Sequence, residues 1–230
     1  MANPNANDYD ALTFDCYGTL IDWGSGLVNH LQPVLLERDA HVIDDFLLDF
    51  FADVEPEIQA DGVLYSDVLR EVLRRLGSRL GFTPSDDVLD AFAASVADWP
   101  AFADTVPALE RLGEHFDLVV VSNVDNALFA GTAERLGVDF KHVITAEDVG
   151  AYKPDRRMFD QARQALGDAR ILHVAQSVYH DIEPATALGL PTVWIRRDRN
   201  AARPGEHRQV APTWSFDSLG EFADAVLGDP

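Results

Sequence analysis

The sequence predicts an α/β fold: a Rossmann-like parallel sheet with helices on both faces, plus an inserted helical cap domain. Three observations carry that prediction. From residue 107 onward, short apolar runs such as Asp117–Ser122 (DLVVVS) alternate with amphipathic segments, and continuous apolar strands need cover on both faces. One further apolar run, Tyr9–Asp15, stands alone near the start. Between it and the next strand lie about 75 residues of helical periodicity, too long for an ordinary loop.

The first strand, Tyr9–Asp15, ends in a carboxylate and meets a Gly18–Thr19 turn. Helical spacing follows in Trp23–Arg38, with Leu27, Leu31, Val34 and Leu35 on one face. Val42–Ile58 repeats Phe and Leu at steps of three and four, and Tyr65–Leu80 repeats Val68, Leu69, Val72, Leu73 and Leu76. Asp86–Ala97 closes this block, with Ser85 as its N-cap after Pro84. Helices at Ala108–His115, Ala127–Leu136, Asp155–Leu166 and Ile182–Leu188 then alternate with strands at Asp117–Ser122, His142–Thr145, Arg170–Ala175 and Thr192–Ile195. A polar loop, Asp198–Pro212, leads to a closing helix at Phe216–Val226. The expected division is an α/β core of residues 1–20 and 100–230 and a helical cap of residues 21–99.

Composition narrows the function. The net charge of −21 repels nucleic acid and anionic membranes, so neither is an expected partner. No stretch approaches the roughly 20 apolar residues of a membrane span. Residues 1–10 lack a basic segment followed by an apolar one, and Cys16 is the only cysteine, so the expected location is the cytoplasm. Lys141 and Lys153 are the only lysines, and Asp heavily outnumbers Glu. Two explanations fit: a halophilic protein adapted to a salt-rich cytoplasm, and a GC-rich genome that favours Arg over Lys.

The chemistry gathers at the carboxyl ends of the strands, where open α/β sheets bind ligands. Strand one delivers Asp15, Tyr17 and Thr19; strand two delivers Ser122 and Asn123; Tyr152-Lys153-Pro154 follows strand three; Gln176, Ser177 and Asp181 follow strand four. Taken singly, each has a plain structural reading. Asp15 with Thr19 suits a turn, Asp181 suits a helix cap, and Ser122 and Asn123 suit a strand end. Cys16 points away from the crevice by alternation, and His180 suits packing or hydrogen bonding. Trp23, Tyr65 and Trp99 suit either a crevice lining or plain core.

The order F-D-x-Y-G-T-L, S-N, Y-K-P-D and an Asp after strand four resembles the haloacid dehalogenase superfamily. Phosphatases of that superfamily have D-x-D-x-T, where the second Asp protonates the leaving alkoxide. Tyr17 stands there in this chain, and its unperturbed pKa of about 10 is unsuited to that work. Gln176 stands where those enzymes place a carboxylate that helps to hold magnesium. Both departures are similar to the L-2-haloacid dehalogenase (type II) branch. The resemblance implies a hydrolase acting on carbon–halide bonds of short 2-haloalkanoic acids, with no metal and no cofactor.

On that resemblance Asp15 is the nucleophile that forms an aspartyl ester. Lys153 keeps it ionised, an effect worth roughly one to three pKa units. Asp181 handles the hydrolytic water, and backbone N–H groups of the turn after Asp15 receive the oxyanion. Tyr17, Thr19, Ser122, Asn123 and Ser177 position Asp15 and a small anionic substrate, with Asn123 facing the halide. The branch allows a homodimer, although no exposed stripe demands one. Three features depart from it. Residues 44–60 lack the Arg that receives halide, with Arg38 and Arg70 the nearest; the S-S-N-A-W-D motif is replaced by Gln176–Asp181; and the Tyr six residues after the lysine is Phe159. Two other functions stay open: a phosphatase-like hydrolase of a small phosphorylated metabolite, and a catalytically silent member that binds a small anion or a partner.

Overall fold

The structure is a computed structural model, and it describes residues 3–59, 63–197 and 210–228. Its described strands form one sheet: β1 (Ala11–Phe14), β2 (Asp117–Ser122), β3 (His142–Thr145), β4 (Ile171–Ala175), β5 (Thr192–Ile195) and β6 (Trp214–Phe216). They lie in the order β3-β2-β1-β4-β5-β6, and every neighbouring pair is parallel. β1 pairs with β2 on one side and β4 on the other, with Phe14 opposite both Val120 and Val174. The order reverses at β1, which puts Asp15 at the switch point where such sheets bind ligands. All of β1 and β4 are buried, as their near-continuous apolar sequences require.

The described helices are α1 (Trp23–Leu36), α2 (Asp44–Gln59), α3 (Tyr65–Leu80), α4 (Asp86–Ala94), α5 (Thr105–Gly113), α6 (Asn126–Leu136), α7 (Ala146–Val149), α8 (Arg156–Leu166), α9 (Glu183–Ala187) and α10 (Leu219–Leu227). The chain packs as two compact units. One comprises residues 1–22, 101–123 and 136–230; the other comprises 23–100 and 124–135.

In the first unit α8 packs on β2 and β3, and α5 packs on β2 and α10. Val119 and Val121 meet Ile144, Met158, Phe159 and Ala162 in a shared core. In the second unit α3 packs between α2 and α4. Its buried face, Val68, Leu69, Val72, Leu73 and Leu76, is the one its periodicity predicts. Trp99 and Tyr65 are interior residues of this unit. The Trp99 indole donates to Ser95 Oγ at 3.2 Å, and the Tyr65 hydroxyl donates to Glu55 Oε1 at 2.8 Å.

Ser85 is the N-cap of α4 as expected, with extended backbone and, among the described residues, no side-chain cap bond. Several other local expectations are corrected. The start of the expected closing helix is instead β6, and α10 begins at Leu219. The helix expected from Ile182 is preceded by a π-helical turn at Val178–Ile182. Ser177, whose Oγ accepts from His180 N, caps that turn, and Asp181 lies inside it rather than capping a helix. Residues 198–209 of the expected polar loop lie outside the described residues.

Candidate active site

Asp15 is the first residue beyond β1, and its amide still donates to Val174 O at 3.1 Å. The chain then turns sharply. Gly18 adopts a φ of 103°, which strains any residue with a Cβ, and its N–H donates to Ile21 O at 2.8 Å. The amides of Thr19, Leu20 and Ile21 all donate to Cys16 O. The expectation that this turn would offer its amides to an oxyanion is thereby corrected for Gly18 through Ile21, because those N–H groups close the turn itself.

The side chains of Asp15, Lys153 and Asp181 converge. Lys153 Nζ donates to Asp15 Oδ1 at 2.7 Å, to Asp181 Oδ1 at 2.8 Å and to Val121 O at 2.8 Å. All three ammonium donors are thus used, and the lysine side chain is 1% exposed. Thr19 Oγ1 donates to Asp15 Oδ2 at 2.6 Å and accepts from Gln176 N at 2.8 Å. Asn123 grips Lys153 by its backbone: Oδ1 accepts from Lys153 N at 2.7 Å, and Nδ2 donates to Lys153 O at 3.2 Å. Asn123 therefore orients the lysine. Ser122 Oγ is buried at the end of β2 with no hydrogen-bond partner among the described residues. Ser177 Oγ contacts His180 Nδ1 at 3.2 Å, so its hydroxyl serves its own turn. Tyr17 is half-buried and forms an isolated bridge with Ile21.

Two further residues complete the arrangement. His173, in the middle of β4, is fully buried and contacts Asp181 Oδ1 through Nε2 at 3.1 Å and Thr13 Oγ1 through Nδ1 at 2.9 Å. The only signal for it in the sequence is a histidine inside the otherwise apolar strand ILHVA. Arg197, just after β5, donates to Thr19 O at 3.0 Å and to Asp104 Oδ1 at 2.8 Å, and lies 4.0 Å above the Phe102 ring. It braces the turn that carries Thr19.

Burial pushes the Asp15 carboxyl above the ordinary aspartate range; the Lys153 ammonium offsets only part of that, and the Asp181 charge adds to it. Lys153 favours the ionised Asp15 as expected, but the expectation that it would hold the carboxyl low overall is corrected, because burial outweighs it and the Asp181 charge adds to burial. Burial also opposes ionisation of Asp181, but Lys153 and the His173 hydrogen bond outweigh it and hold that carboxyl low. Burial opposes the charge on Lys153 too, and its two carboxylate partners keep it above the usual lysine value. The carboxylates titrate as a pair. Loss of solvent holds His180 below the ordinary histidine range.

The haloacid dehalogenase-like hydrolase model matches residues 9–189, which span Asp15, Lys153 and Asp181. The chain belongs to that family. Within it, the chain is 31% identical over 157 residues to the (S)-2-haloacid dehalogenase of Pseudomonas sp. strain YL, covering 66% of this chain and 65% of that protein, just under two thirds of its length. It is also 32% identical over 223 residues to the pyrimidine 5'-nucleotidase YjjG of Escherichia coli strain K12, covering 93% of this chain and 96% of the relative. A crystal structure of the L-2-haloacid dehalogenase PA0810 superimposes with a TM-score of 0.79 at 24% identity, covering 94% of this chain and 98% of that one. At that identity the likeness is one of fold.

Family members of the phosphatase type use magnesium, and the residues here do not fit that ion. Gln176 supplies a neutral amide where a carboxylate belongs. Asp15 and Asp181 already share the Lys153 ammonium. Among the described residues, no three His, Cys, Asp or Glu side chains gather to hold a metal.

Proposed function

We propose that the chain is a hydrolytic dehalogenase of short 2-haloalkanoic acids, working through an aspartyl ester on Asp15 and without a metal ion. One observation carries the reading. A buried, lysine-held aspartate is followed two positions on by Tyr17, so the nucleophile is present and the acid for an alkoxide leaving group is not. Halide departs without a proton and needs no such acid. The similarity to an (S)-2-haloacid dehalogenase supports the same choice.

In this reading Asp15 Oδ2, which accepts from the neutral Thr19 hydroxyl, attacks the halogen-bearing carbon as the carbon–halogen bond breaks. Water then attacks the Asp15 carboxyl carbon. Oδ1, 2.7 Å from Lys153 Nζ, takes the developing negative charge, so the ammonium does the work of an oxyanion donor. Asp181 accepts the proton of the attacking water. Asn123 and Thr19 hold Lys153 and Asp15, Ser122 offers its unpartnered hydroxyl to a ligand, and Tyr17 and Ser177 border the turns beside them. Residues 21–99 act as the cap.

The full-length similarity to YjjG favours a second reading, hydrolysis of a small phosphorylated metabolite. One set of assays separates the two. Chloroacetate, fluoroacetate, 2-chloropropionate and an aryl phosphate are each incubated with and without magnesium. Halide release that persists in a chelator and falls by at least about 10³-fold in Asp15→Asn is expected, as for loss of a nucleophile. Magnesium-dependent phosphate release without halide release would favour the phosphatase. Silence in every assay would favour a ligand-binding member.

A further inference from the structure

We propose that His173 is a positioning residue for Asp181, committing one carboxylate oxygen to the protein and leaving the other for the hydrolytic water. The inference rests on the covalent Asp15 chemistry proposed above and names a residue that reading does not need.

His173 has no solvent exposure and uses both ring nitrogens. Nδ1 meets Thr13 Oγ1 at 2.9 Å, and Nε2 meets Asp181 Oδ1 at 3.1 Å. An ionised carboxylate only accepts hydrogen bonds, so Nε2 carries a proton in either protonation state of the ring. The Phe159 ring sits edge-on to the imidazole, at 5.3 Å and 79°, and fixes its plane. Asp181 Oδ1 therefore collects two donors, Nε2 of His173 and Nζ of Lys153. Asp181 Oδ2 is buried and has no hydrogen-bond partner among the described residues. A buried orphan acceptor on a fully buried carboxylate calls for a donor, and in the proposed step the hydrolytic water is that donor.

The step balances as follows. The water oxygen bonds to the Asp15 carboxyl carbon while one water proton passes to Asp181 Oδ2. The bond from that carbon to the ester oxygen, the former Asp15 Oδ2, then breaks, and its electron pair stays on that oxygen, which takes the proton from Asp181 and becomes the product hydroxyl. The second water proton leaves to solvent, Asp15 is a carboxylate again, and the product is a 2-hydroxy acid. If the Asp181 carboxylate rotates, Oδ2 no longer faces the water; the His173 bond is what prevents rotation about the Lys153 contact.

The test has a spectroscopic and a kinetic arm. In protein labelled with ¹⁵N at histidine, the His173 Nε2–H is expected as a solvent-protected resonance that shifts in Asp181→Asn. Its absence, or its indifference to that substitution, overturns the inference without any substrate. In the kinetic arm, 2-chloropropionate is mixed with wild type, His173→Leu and His173→Gln, and halide release and covalent adduct mass are followed. His173→Leu is expected to keep its first-turnover halide burst and to slow steady turnover by about 10- to 100-fold, within the range of a general-base contribution, with adduct accumulating. His173→Gln, whose amide N–H can reach the same oxygen, restores turnover. Equal slowing of burst and turnover, or no slowing in His173→Leu, overturns the inference. If wild type releases no halide, the dehalogenase reading fails, and the resonance alone decides the role of His173.

Discussion

In the proposed reaction Asp15 is the nucleophile, and its carboxyl carries an electrostatic burden. Its carboxyl is raised by burial and by Asp181, with Lys153 compensating in part. Catalysis needs the ionised form, so halide release should fall as pH drops through a value above the ordinary aspartate range, read from the acid limb of kcat/KM. Stability runs the opposite way. A carboxyl with a raised folded pKa favours the fold when protonated and loses that contribution as pH rises through the folded value. Asp15→Asn should therefore raise the denaturation midpoint at neutral pH while abolishing turnover, with Lys153 still paired to Asp181. Asp15, Lys153 and Asp181 were legible because each closes a strand end or follows one, in an order that a known family shares. The direction of the Asp15 shift was not, because a sequence does not say how deeply a carboxyl is buried or which other charge lies beside it. His173 was hidden for another reason: a single histidine in an apolar strand looks like ordinary interior until its two ring partners are known.

Among the elements, α3 shows how a helix of the second unit depends on a residue far away in sequence. Its N-cap position is Leu64, which offers no side-chain acceptor. The buried Asp125 carboxylate takes that role, accepting from Tyr65 N at 2.6 Å through Oδ1 and from Ser66 N at 2.8 Å through Oδ2. It satisfies two end donors and places negative charge at the positive end of the helix. Asp125→Ala should destabilise the protein by about 1–2 kcal/mol in chemical denaturation, the upper part of the range for a lost cap. Asp104 does similar work elsewhere, taking the Leu219 and Gly220 amides at the start of α10 and the Arg197 guanidinium. Helix and strand bodies such as α3 and β2 were legible because their apolar periods are long and regular. The caps at Asp125 and Asp104 were not, because periodicity carries no information about partners 60 or 115 residues away. β6 was missed because three residues are too few to show a period.

At the scale of the molecule, alternating apolar strands and helices predict a parallel sheet, and the pairing of the described strands agrees with that reading, with β6 added at one edge. The net charge of −21 acts on the whole chain as self-repulsion. Raising KCl should shorten the reach of that repulsion and increase the unfolding free energy; a flat or falling series would remove the salt-adaptation explanation and leave composition bias. The shared ammonium has a further consequence. Two carboxylates and one lysine leave the cluster with one uncompensated negative charge before any ligand arrives. An anion that docks beside it should draw a proton out of the buffer, since neutralising a carboxylate relieves the crowding. Calorimetric titration of a non-reactive 2-hydroxy acid in two buffers of different ionisation enthalpy should give different apparent heats. The difference would report net proton uptake, so that the ligand and a hydrogen ion bind as one neutralising pair.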